Sequence, residues 1–216
     1  MSVTSSVVFK VAARTCAPSW MRSKIHWSPP AIILKYLDDD VTRASRKQRL
    51  TRPELKYVAK NVLEVLQVLH EDGYVHTGLE YPVSPHIVFV LTLLPDIKLK
   101  PSNILVNYGN GESRFSDVQL ADCGVVVTTD SEYVKDGVQT GTSLFRAPEV
   151  HLEIPWGTAA DIWSFGVTLI NLIWGFNFHI FEPDVPEGDE LYDVKILVLH
   201  HQWFGPFPIS YKEICD

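Results

Sequence analysis

The run from Thr51 to Gly73 constrains this chain more than any other stretch. Thr51-Arg52-Pro53-Glu54 reads as a capping box, in which Thr51 accepts from the helix start and Glu54 reaches back. Leu55, Val58, Ala59, Val62, Leu66 and Leu69 then recur at three- and four-residue intervals, and Gly73 stops the run after His70-Glu71-Asp72. A helix with such a stripe must bury it, so the rest of the chain has to supply a core. With 216 residues, 46% hydrophobic and 21% charged, it can do so within one domain, or one domain plus an arm. The net charge of −7 gives no reason to expect nucleic-acid or anionic-membrane partners. No run approaches the ~20 apolar residues needed to span a bilayer.

Around that helix the pattern is less regular. Residues 1–30 show no period, end in Pro29-Pro30 and read as an irregular arm. The apolar patch within Met1 to Trp20 is broken by Lys10 and Arg14 and is too short for a signal peptide. Cys16, Cys123 and Cys215 lack metal-ligand spacing and read as reduced thiols of an intracellular protein, cytoplasmic or nuclear. Ala31 to Leu37 is a β-rich run that stops at an acidic turn, Asp38-Asp39-Asp40. Ile104 to Asn107 and Val118 to Ala121 flank the turn signal Tyr108-Gly109-Asn110-Gly111, which predicts a hairpin. Ala159 to Trp174 is apolar enough for a buried helix. Leu191 to His200 reads as another, after a loop over Phe176 to Gly188.

Three phrases carry chemistry. They are Ala121-Asp122-Cys123-Gly124, Gly141-Thr142-Ser143-Leu144-Phe145-Arg146-Ala147-Pro148-Glu149, and Asp161-Ile162-Trp163-Ser164-Phe165-Gly166. Their acidic residues Asp122, Glu149 and Asp161 stand 27 and then 12 residues apart. Singly, Asp-Cys-Gly reads as a turn and Asp161 as a helix cap. Together, in this order, the phrases resemble the metal-binding triplet, the substrate-docking loop and the supporting helix of eukaryotic Ser/Thr protein kinases. His76-Thr77 with Asp96-Ile97-Lys98 is similar in wording to the catalytic loop of SR-protein kinases and their fungal relatives.

The resemblance implies an α+β, mainly helical fold: a protein-kinase-like C-lobe lacking most of the N-lobe, over residues 31–216. It implies ATP and Mg²⁺ as cofactors and a protein as substrate. Asp96 would orient the substrate hydroxyl, and Lys98 would lie near the transferred phosphate. Asn103 and Asp122 would offer oxygen ligands to magnesium. Leu34 would guard the adenine pocket, with Lys35, Tyr36 and Leu37 forming the hinge. An edge strand before a solvated acidic turn is the plainer reading of those four residues. In the family the counterpart of Asp161 also ties down the catalytic-loop backbone, and Glu149 is paired with an arginine further along the chain.

Several features depart from the family pattern. Residues 78–95 separate His76-Thr77 from Asp96; removing them restores His-Thr-Asp-Ile-Lys without a gap. A translated intron accounts for this, and a lineage-specific insertion is the rival. Asn103 stands seven residues after Asp96 where five are usual, Cys123 replaces phenylalanine, and Thr77 replaces arginine. The first glycine is Gly73, so no glycine-rich phosphate cover precedes the hinge residues in this sequence. The expectation is a kinase-like chain with negligible turnover as written. The alternatives are a non-catalytic binding module or a pseudogene product.

Overall fold

The capping box forms as the sequence requires, and the helix it starts organises the molecule. The computed structural model describes residues 35–76, 101–111, 113–121 and 126–214. In chain order it shows β1 (Asp39–Asp40), α1 (Val41–Lys47), α2 (Arg52–Glu71), β2 (Tyr74–Val75), a 3₁₀ turn (Pro101–Asn103), β3 (Ile104–Tyr108) and β4 (Phe115–Leu120). β5 (Val127–Thr128), α3 (Glu132–Lys135), a 3₁₀ turn (Ser143–Phe145), α4 (Pro148–His151), α5 (Thr158–Trp174), α6 (Tyr192–Phe204) and α7 (Ile209–Ile214) follow.

At the start of α2, the Thr51 side chain accepts from the Glu54 N–H while Glu54 Oε2 accepts from the Thr51 N–H at 2.6 Å. Val58, Val62, Leu66 and Leu69 are buried, as the stripe predicts, and Leu55 and Ala59 pack against the same cluster. Gly73 ends the helix at φ +79°, the left-handed region that glycine enters without strain. Its carbonyl then accepts from Thr129 N–H at 2.9 Å and leads into the β2–β5 pair.

The α2 stripe meets two partners in one core. Ile104 and Val106 of β3 and Val118 and Leu120 of β4 belong to that core, as do Phe165 and Leu172 of α5. The hairpin forms where expected, with Ile104 opposite Leu120 and Val106 opposite Val118. Tyr74, at the α2 exit, is buried in this cluster, whereas Val75 joins a second one with Val134, Ala147, Val150, Trp156 and Ala160. A third cluster holds Phe145, Val167, Phe181 and Ile196. No helix among the described residues is long and apolar enough to cross a membrane.

The fold class expected from the sequence needs correction. Among the described residues, five strands lie beside the helices in two sheets, a three-stranded one in the order β1–β3–β4 and a two-stranded one pairing β2 with β5. The architecture is therefore mixed α+β, not a mainly helical lobe fragment. The local acidic turn is also corrected. Asp39 and Asp40 pair with Val106 and Leu105 as β1, and the Asp40 side chain then caps α1. Strands of two residues span a single period of the strand alternation, with no repeat to mark it, which is why β1, β2 and β5 leave no trace in the sequence. Of the expected first strand, 31–34 lies outside the described residues, and Lys35 to Leu37 are not strand. The arm 1–30 and the stretch 78–95 also lie outside them.

Candidate active site

Asp161 sits in the first turn of α5 but does not cap it; the capping position is Gly157. Asp161 is only 2% exposed. Oδ2 accepts from the backbone N–H of His76 at 2.8 Å and lies 2.9 Å from His70 Nε2. A buried carboxylate must be partnered or it destabilises the fold, and here one partner comes from the end of α2 and the other from the residue just past β2. The carboxylate thus pins the backbone immediately before Thr77, where the catalytic-loop phrase begins. The His70 contact was not legible in the sequence, because His70 reads there only as a residue near a helix end.

The hairpin performs a second act of positioning. Asn103 closes the 3₁₀ turn before β3, and its carbonyl accepts from Ala121 N–H at 2.8 Å just past β4. That bond follows from the register, since Ile104 already faces Leu120. It places Asn103 directly opposite the residue preceding Asp122. Asp122 itself lies outside the described residues, as do Asp96, Lys98 and Leu34.

The remaining sequence candidates sit elsewhere. Lys35 Nζ lies 2.7 Å from Asp117 Oδ2, Tyr36 is 81% exposed, and Leu37 is buried. Asp38 N–H donates to Asn107 Oδ1, and Asp38 Oδ2 accepts from Tyr108 N–H, both at 3.0 Å. These bonds hold the segment at the Tyr108 end of β3, whereas Asn103 stands at the other end. Four residues of strand amount to about 13 Å along the axis, so the structure does not bring Lys35, Tyr36 and Leu37 together with Asn103.

The Gly141–Glu149 phrase is bound from three sides. Arg146 Nε donates to Thr140 O at 2.9 Å and Nη2 to Gly141 O at 3.0 Å. Nη1 reaches Gln139 Oε1 and Asp193 Oδ2, each at 3.3 Å. Burial pulls the guanidinium pKa down, and the Asp193 carboxylate opposes that shift. From α5, Ser164 Oγ donates to Phe145 O at 2.8 Å. From α7, the Tyr211 hydroxyl donates to Glu149 Oε2 at 3.2 Å. Burial first, and the Glu149 charge second, pushes the Tyr211 phenol up to about 12, so it stays a donor. A shallow cleft runs between Thr140–Ala147 and α5, with Asp161 and Ser164 on its wall.

Behind this loop is a buried histidine pair. His151 and His200 have ring centroids 5.6 Å apart, and His200 also packs on Phe181 at 4.1 Å and Trp163 at 5.0 Å. Burial, reinforced by Arg146, pushes His151 down to about 4. Burial, with His151 beside it, pushes His200 down to about 3. Neither ring nitrogen of His200 has a hydrogen-bond partner among the described residues. Both rings are neutral in the fold, while the unfolded chain takes up protons below about pH 6.5. Their contribution is therefore complete above about pH 6.5 and is lost as pH falls through about 4 towards 3. His200→Leu should leave the fold intact and flatten the fall in stability between about pH 6.5 and 3. Urea titrations at several pH values check this; a pH profile identical to that of the parent chain would refute it.

Comparison with known proteins bears on the same elements. The family model described as "Protein kinase domain" matches residues 96–191, beginning at the aspartate that follows the interrupting stretch. The serine/threonine-protein kinase pakE of Dictyostelium discoideum is 32% identical over 126 residues, covering 58% of this chain and 11% of that protein. The CTD kinase subunit alpha of Schizosaccharomyces pombe is 28% identical over 175 residues, 80% of this chain and 25% of that protein. The crystal structure of the yeast RNA Pol II CTD kinase CTDK-1 complex superposes with a TM-score of 0.67 at 17% identity. That match covers 97% of this chain and 60% of the matched one. The chain has the fold of the Ser/Thr protein-kinase superfamily, and it spans a quarter or less of the length of these two curated relatives. The relatives include PAK-type, CTD, calmodulin-dependent and mitogen-activated kinases, so the narrower likeness to SR-protein kinases, drawn from two short phrases, is not carried forward.

Proposed function

We propose that this chain serves phosphoryl transfer from ATP to a serine or threonine hydroxyl of a protein, as part of a protein kinase. The observation that carries the reading is the Asp161 carboxylate, which holds the backbone of His76 and the ring of His70 at the entry to the catalytic-loop phrase. Phosphoryl transfer asks for positioning and charge neutralisation more than for covalent help. Asp96 is assigned to orient the attacking hydroxyl and Lys98 to face the transferred phosphate. The amide oxygen of Asn103 and the carboxylate of Asp122 are hard donors of the kind magnesium takes. The Asn103–Ala121 backbone bond favours their acting together. Bound magnesium would supply neutralisation of the phosphate charge. Leu34, Lys35, Tyr36 and Leu37 are assigned to the adenine side on the sequence resemblance alone.

A second reading, a non-catalytic kinase-like module, is favoured by one feature. Residues 78–95 split His76-Thr77 from Asp96, and a displaced base cannot orient the hydroxyl. The chain as written is therefore expected to show negligible turnover. Sequencing the transcripts of its gene separates the readings. A message joining Thr77 to Asp96 in frame should encode a protein with magnesium-dependent phosphorylation that Asp122→Ala abolishes. A message retaining 78–95 throughout leaves the module.

A further inference from the structure

The turn that closes α5 holds an exposed aromatic residue in a backbone conformation that aromatic residues rarely enter. Gly175, Phe176 and Asn177 take φ values of +70°, +53° and +64° in succession. Glycine tolerates that region and asparagine visits it, but a phenylalanine there is strained by its own Cβ. The strain does not serve burial: Phe176 is 67% exposed, and Trp174 beside it is 55% exposed. Strain of this kind persists only where neighbours fix it, and it gathers at functional sites.

Two arginines fix this turn. Arg49 Nε donates to Trp174 O at 2.7 Å, and its guanidinium carbon lies 5.3 Å from the centre of the Phe176 ring. The Arg49 stem crosses Gly175 so closely that a Cβ there would stand 3.0 Å from Arg49 Cγ. Arg46, near the end of α1, donates to Asn177 Oδ1. Neither arginine has a carboxylate partner among the described residues, whereas Arg43 and Lys47 are engaged by Asp40 and Asp39. Residues 43–60 hold seven lysines and arginines against one glutamate, in a chain whose net charge is −7. The overall charge therefore conceals a local positive field, and screening over about 8–10 Å lets a small ligand feel that field alone.

Exposed Trp, Phe and Arg in one patch are the residue types that anchor interfaces. We propose that Trp174, Phe176, Arg46 and Arg49 form a docking site for a short acidic segment of a partner protein. An apolar side chain of that segment lies on the two rings, and Asp or Glu beside it meets guanidinium groups that the turn already holds in place. The arginines select acidic charge. The rest of the chain, which carries the acidic surplus, selects short reach. A nucleic acid or an anionic bilayer presents charge well beyond a Debye length and meets that surplus. The site does not rest on the phosphoryl-transfer assignment, because none of its residues belongs to the arrangement around Asp161.

The test uses the full chain and a fluorescein-labelled peptide of Glu, Asp, Gly and Ser around a central Phe-Leu pair, with a net charge of about −5. Fluorescence anisotropy should show saturable binding that weakens as salt is raised above about 0.1 M. Phe176→Gly removes the ring and frees the turn of strain. It should weaken binding at least tenfold while the thermal unfolding midpoint stays level or rises, which loss of a packing residue would not give. Arg46→Glu should also weaken binding at least tenfold. Lys135→Glu, an equal charge change on α3, should leave it within about twofold. These positions are exposed, and circular dichroism verifies that each variant stays folded. Binding unchanged in Phe176→Gly would overturn the proposal, as would absence of binding or equal weakening by Lys135→Glu. Tighter binding of an oligothymidylate of about 20 nucleotides, or of phosphatidylserine vesicles, lost in the same two variants, would assign the patch to nucleic acid or membrane and equally overturn it.

Discussion

Asp161→Ala should lower the unfolding free energy by about 3 kcal/mol, because it removes the acceptor of two charge-assisted hydrogen bonds worth roughly 1.5–3 kcal/mol each. The carboxylate is buried and joins α5 to His70 of α2 and to the His76 backbone. Its loss leaves a buried N–H at His76 with no acceptor. Asp161→Asn keeps one acceptor oxygen and the side-chain volume, so it should cost about half as much. Hydrogen exchange reads the local consequence: the His76 amide should lose protection in the alanine variant well before amides in the middle of α2 do. Equal protection at His76 in the two variants, or a stability loss below about 1 kcal/mol, would mean that the carboxylate is not the anchor proposed.

The largest packing effect should come from Phe181→Ala, at about 3–5 kcal/mol. Phe181 has no exposed surface, although it lies in the irregular segment between α5 and α6. Its ring stacks on Trp163 at 6.1 Å with planes 10° apart, and it touches His200 and Phe204. These contacts tie α6 to α5 across a loop that has no secondary structure of its own to do so. Removing the ring opens a cavity that the rigid Trp163 cannot fill. Phe181→Leu, which keeps most of the volume, should recover more than half of the loss. Chemical denaturation of both variants gives the comparison; a cost near 1 kcal/mol for alanine would show that the segment repacks freely.

Legibility in the sequence tracked the distance over which a residue acts. The Thr51–Glu54 box, the α2 stripe and the stop at Gly73 are local, and each forms as read. So does the hairpin, where two β-rich runs enclose a turn signal, and so does α5, found at Thr158–Trp174. Helix α1 was not foreseen. Val41 and Ala44 are its buried apolar residues, too few to form a stripe, and its cap comes from an aspartate that reads as part of a turn. Glu149 accepts from the Tyr211 hydroxyl, a neutral donor 62 residues away with no local signal. The histidine pair had no signal at all, because a histidine on an apolar helix face looks the same whether or not a second one lies opposite.

The sequence by itself determined the helices with a full stripe or cap, the hairpin, and the order of the three phrases that mark a kinase-type fold. These depend on neighbours within one or two turns of chain, where periodicity and capping chemistry act. Only the tertiary structure decided that the class is mixed α+β, that Asp161 takes His70 as a partner beside the backbone it was expected to tie down, and that Arg146 laces its own loop to Asp193. Those outcomes depend on groups from 47 to 91 residues apart for the side-chain bonds to Asp193, His76 and His70. The short strands likewise depend on ladder partners that no local pattern encodes. A buried polar group is satisfied by whatever the packed core brings within 3 Å of it, and composition and spacing do not specify that partner in advance.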